Sequence, residues 1–90
     1  MRRKRGNMVI QMAAHRGVVL PYLRAWRLRR LFTQQELVAK SGVSIATIVR
    51  AERGDSPISI PNVRKLASIL QVTPDDLVYT DPDAKRDGAV

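Results

Sequence analysis

Between Thr33 and Gly54 the chain holds two short helix-compatible segments, each with its own start and stop signal, set three residues apart. Thr33, with Glu36 three residues on, makes a capping-box pattern, in which hydroxyl and carboxylate each satisfy a backbone N–H left over at a helix start. Gly42 stands where that helix must end, because glycine enters the left-handed conformation without steric penalty. Ser44 then offers a second N-cap and Gly54 a second stop. A connection as short as Ser41-Gly42-Val43 leaves little freedom, and the first segment has to cross the second at a steep angle. Leu37, Val43, Ile48 and Ala51 fall at the positions that face inward across such a corner. The opposite face of the second segment is Ser44, Ile45, Ala46, Thr47, Val49, Arg50 and Arg53. Apart from its two arginines it is short-chained, so it can approach base edges closely in a major groove.

The flanking sequence reads as helix too. Pro21 suits a first helical position, and Leu23, Trp26, Arg27 and Leu31 fall near a 3.6-residue spacing, with Arg24, Arg29 and Arg30 off that stripe. Ser59 caps a segment carrying Val63, Leu66, Ala67 and Leu70 on one face. Thr73 caps a last short one, with Pro74 at its first position and acids in its first turn. No strand pattern competes. The chain is therefore expected to be all-α, with five helices between about Pro21 and Tyr79, each too short to be stable without packing on the others. Three regions follow: residues 1–20, the helical domain 21–79, and a flexible tail 80–90. Within the first, MRRKRGN is a basic arm, and residues 8–20 read equally as a short helix, a strand or a patch that docks on a partner chain. Leu77, Val78 and Tyr79 either close the core or lie in a dimer seam.

Composition narrows the function. Ninety residues make one small domain. Without cysteine there is no disulfide, thiolate nucleophile or Cys-based zinc site, and the single histidine, His15, builds no cluster. Asp75-Asp76 is the only adjacent acidic pair and reads as helix N-terminal charge, so a metal-dependent nuclease lacks its parts. No enzyme activity and no cofactor is expected. Aromatics are 4%, too few for a reader that stacks single-stranded bases. Charge is segregated. Residues 1–53 hold twelve basic residues and two acids, a net +10, whereas residues 54–90 hold four and six, a net −2, giving +8 overall. A positive half of this kind suits a polyanion, nucleic acid above all. No stretch approaches the roughly 18 apolar residues of a membrane span. The apolar patch after MRRKR is broken by Gln11, His15 and Arg16, against a cleavable signal, and a cytoplasmic protein is expected.

At this point the residues carry a family resemblance. TQQELVAKSGVSIATIVRAERG, followed by ISIPNVRKLASILQVTPDDLV, resembles the phage-repressor and Cro-like (XRE) helix-turn-helix family. The likeness runs from about Leu23 to Tyr79. Its motifs are Leu-Arg-x-x-Arg in the first helix, Thr-Gln-x-Glu-Leu in the second, Gly-Val-Ser before the third, Glu-x-Gly at its end and Leu-Ala-x-x-Leu-x-Val in the fourth. The resemblance implies a five-helix lambda-repressor-like DNA-binding domain with a basic N-terminal arm. It implies phosphate contacts for Gln34 and Ser44, base-edge reading by Ile45, Ala46 and Arg50 with help from Thr47, and backbone contacts near Arg53 and Asn62. It also implies a buried pair between Arg27 and Glu52. The chain departs from the family at Leu31, where glycine is common, at Val38, where alanine is preferred, at Ser41, which is more polar than usual, and at Ile45, in place of a polar reader.

Ile45 and Ala46 donate no hydrogen bond, so they would touch thymine methyl groups beside an Arg50–guanine contact. The alternatives are that Ile45 tucks under the second helix and that Arg50 meets only phosphate. The arm Arg2–Arg5 is either a solvated run or a follower of phosphates or the minor groove. The expected function is a sequence-specific double-stranded DNA-binding transcriptional regulator, a repressor acting as a homodimer. The alternative is the antitoxin of a toxin–antitoxin pair, binding a toxin through residues 8–20 or the tail as well as its own operator, which co-purification of a second small protein would reveal.

Overall fold

The computed structural model describes residues 17–84. The expectations on the basic arm, on His15 and on the apolar run from Met8 lie outside them. Five helices follow in order: α1 Leu23–Arg29, α2 Gln34–Ser41, α3 Ile45–Glu52, α4 Ile60–Leu70 and α5 Pro74–Tyr79. Four start at hydroxyl caps. Thr33, Ser44, Ser59 and Thr73 each accept the N–H of the residue three on, and Thr33 and Thr73 complete capping boxes with Glu36 and Asp76. The Thr73 N–H held on its carboxylate keeps Asp76 below the ordinary carboxylate range. The sign follows: this support for the start of α5 is present at neutral pH and is lost as pH falls through the lowered value.

The core is a single cluster to which every helix contributes. Leu20, Leu23, Leu37, Ile48, Leu66, Leu70 and Leu77 are its largest fully buried side chains. Each is worth about 1.5–3 kcal/mol relative to exposure, which is how five short helices hold together.

Contacts remote in sequence fasten the ends. Trp26 Nε1 donates to the Asp76 and Thr80 carbonyls at 3.1 and 2.9 Å, and the Tyr22 N–H donates to Leu77 O. Arg30 stacks over the Trp26 ring and donates from Nε to Leu70 O at the end of α4. Leu77 thus closes the core, Val78 is half-buried and Tyr79 is exposed. Contacts to the domain continue past Tyr79 to Thr80 and to Asp83, which pairs loosely with Arg29 on the surface.

Two local expectations need correction, at Pro21 and at Leu31, and one segment left open takes a defined form. Helix α1 starts at Leu23, not at Pro21: Pro21 sits second in a turn closed by Leu23 N–H on Leu20 O, the turn position its fixed φ favours. Residues 17–20, whose conformation the sequence left open, include a bridge. Val18 and Ile58 exchange both backbone hydrogen bonds in antiparallel register, the one β-type pairing among the described residues. Gly17 is required there, since a Cβ would stand 2.2 Å from Ile58 O. Leu31 belongs to no buried stripe. It follows α1 with φ 64° and is 88% exposed.

A left-handed conformation costs an L-residue about 1–2 kcal/mol, and Leu31 recovers nothing by burial. Leu31→Gly is therefore expected to stabilise the domain by about 1 kcal/mol and raise its melting temperature by roughly 4–8 °C. Thermal unfolding followed by circular dichroism checks this, and an unchanged or lower midpoint contradicts it.

Candidate nucleic-acid interface

The corner between α2 and α3 is built as the spacing requires. Gly42 adopts φ 79°, and its N–H closes α2 on Val38 O. The polar Ser41 now has a role. Its hydroxyl donates to Leu37 O at 2.6 Å and accepts the Val43 N–H at 3.1 Å, so it staples the turn across Gly42. Val43 is buried on the far side, and the chain enters α3 at a fixed angle.

Helix α3 turns about 100° per residue. Ile48 and Ala51, both 0% exposed, define its inward side. Ala46, Arg50 and Arg53 fall within about 60° of one another on the opposite side, and all three are exposed. Ile45 and Val49 flank that row, each 38% exposed, so Ile45 does not tuck under α2. Val49 extends the apolar flank of that face by one turn, a position to which the family motif does not point. Thr47 lies on the other flank, half-buried. The Ser44 hydroxyl accepts the Thr47 N–H and donates to Thr47 Oγ1 at 2.9 Å. That leaves the Thr47 hydroxyl proton as the donor this pair can offer outward. Neither Arg50 nor Arg53 forms an ion pair among the described residues.

The face is held from behind. Arg27 is buried, and its Nε and Nη2 donate to the two Glu52 oxygens at 2.5 and 3.1 Å, while Nη1 donates to Phe32 O. The expected pairing of α1 with α3 is thus present, and it also fastens the α1–α2 connection. Gln34, half-buried at the start of α2, gives one amide N–H to Glu52 Oε1 at 3.0 Å. Its amide carries a second N–H for an outside acceptor. Nothing in the local pattern announces this bond, because its partners are 18 residues apart. Asn62 is half-buried in the first turn of α4, beyond the α3–α4 connection that Arg53 opens. With Glu52 matched by Arg27, the outward side of α3 presents positive charge only.

Two capped helices crossing at a glycine corner, the second projecting a small-residue face beside two arginines, define a helix-turn-helix DNA-binding domain. A family model described as Helix-turn-helix matches residues 23–77, and the chain belongs to the XRE/Cro-like helix-turn-helix family, whose members are DNA-binding transcription regulators. Comparison with curated proteins and with solved structures returned no match. No helix among the described residues is long and apolar enough to cross a membrane.

Proposed function

We propose that the chain is a sequence-specific repressor that inserts α3 into the major groove of double-stranded DNA, acting in the cytoplasm as a homodimer. The observation that supports this reading most strongly is the division of α3 itself. Ile48 and Ala51 are sealed in the core while Ala46, Arg50 and Arg53 stand outside as one row. In this reading Arg50 contacts guanine, and Ile45, Ala46 and Val49 pack on thymine methyls, since none of the three can donate a hydrogen bond. Gln34, Thr47, Arg53 and Asn62 hold phosphates and set the register, and Ser44 orients Thr47. Dimerisation follows from the short reading face: one helix covers too few base pairs for useful specificity.

The test is selection of bound duplexes from a random pool, run in parallel with Arg50→Ala. If Arg50 reads a base, the variant loses preference at one position per half-site and about 1–3 kcal/mol of discrimination there. An even fall in affinity across all sequences would place Arg50 on phosphate, and selection of no duplex at all would overturn the reading.

A further inference from the structure

On the side of the bridge, an apolar groove of about 380 Å³ runs between α4 and α5, lined by Val18, Ile60, Val63, Pro74, Val78 and Tyr79. Tyr79 stands 76% exposed at this groove, a large ring that nothing among the described residues covers. We propose that the groove seats this chain's own segment Met8–Ala14.

Three observations support the assignment. The first is where the described chain begins. Val18 is itself part of the groove wall, so the segment that joins the described chain at Gly17 starts beside the groove. Ile10 lies seven residues before Gly17, a reach of about 23 Å if extended, enough to cross the groove. The second is composition. Met8, Val9, Ile10, Met12, Ala13 and Ala14 form the one apolar run outside the described residues, and unbranched methionine fits irregular apolar gaps. The third is charge. Asp75 lines the groove and Asp81 follows α5, neither in an ion pair among the described residues, whereas Asp76 is held in the Thr73 cap and Asp83 by Arg29. Arg2, Arg3, Lys4 and Arg5 immediately precede the apolar run and match that acidic end. Arg64, also in the wall, lies nearer the middle of α4, and its stem adds apolar contact there.

The absence of native cysteine makes the test clean. In the full chain, Ile10→Cys is paired with Tyr79→Cys and, as control, with Gln35→Cys on the exposed side of α2. Disulfide formation in a glutathione buffer is followed by mass and by mobility on a denaturing gel. The expected result is an intrachain disulfide that forms at least tenfold faster with Tyr79→Cys than with Gln35→Cys. Should Tyr79→Cys fold poorly by circular dichroism, Asp75→Cys takes its place. Equal rates with both partners would overturn the proposal. So would a product joined mainly between chains, which makes a second copy the occupant, or Tyr79→Cys alone coupling to itself as fast, which makes the groove an α5–α5 seam.

Discussion

Replacing Glu52 with leucine is expected to cost on the order of 3–5 kcal/mol, a large part of what holds a domain of this size together at about 0.05–0.15 kcal/mol per residue. The reason is the state in which it leaves Arg27. The two side chains are only 9% and 5% exposed, and Glu52 receives the Nε and Nη2 of Arg27 together with Gln34 Nε2. Removing the carboxylate strands a guanidinium in the core with one remaining acceptor, Phe32 O. Urea denaturation measures the loss. The double variant Arg27→Met/Glu52→Leu is expected to recover most of it, since exchanging both members of a buried pair for apolar groups is commonly close to neutral. A loss below about 1 kcal/mol for Glu52→Leu, the range of an exposed pair, would contradict the burial on which the positioning of α3 rests.

The second large effect leaves the fold alone. Ala46→Glu is expected to reduce affinity for the selected duplex at least a hundredfold, about 2.8 kcal/mol, with an unchanged urea midpoint. Ala46 sits at the centre of the outward row on α3, between Arg50 and Arg53 around the helix, and touches none of the core. A carboxylate there is larger than the gap a methyl group needs and faces the phosphates' own charge, and like-charge juxtaposition at an interface costs several kcal/mol. Ser68→Glu, exposed on α4, changes net charge equally and serves as the control, with a loss of a fewfold at most. Fluorescence anisotropy with labelled duplex reads both. Equal losses for the two variants would mean that α3 is not the surface in contact.

The parts of this molecule written in local chemistry were legible before any coordinates. Hydroxyl caps at Thr33, Ser44, Ser59 and Thr73, and glycine at position 42, mark helix ends through groups a few residues apart, and all of them hold. The inward set Leu37, Val43, Ile48 and Ala51 follows from the same corner, and each is buried. Local pattern misleads at Leu31, where periodicity counts an apolar residue into α1 while the backbone must reverse to reach the cap at Thr33. Contacts spanning long separations carry no such signature. Trp26 reaches Asp76 and Thr80, Arg30 reaches Leu70, and Val18 pairs with Ile58, each joining residues 40 or more apart. The candidate site divides the same way. Its outward face is readable from the turn of one helix, whereas the link from Gln34 through Glu52 to Arg27 depends on how three helices meet.

Whether α3 is the element that enters DNA is read by titrating the isotopically labelled chain with the selected duplex and following every backbone amide by NMR. The largest shifts are expected from Ser44 to Arg53, with Gln34 and Asn62 moving in step and α5 unchanged. A second cationic cluster, Lys40, Arg64 and Lys65, lies between α2 and α4. Shifts gathered there, with Ala46 and Arg50 unmoved, would mean that DNA binds between α2 and α4 and not on α3.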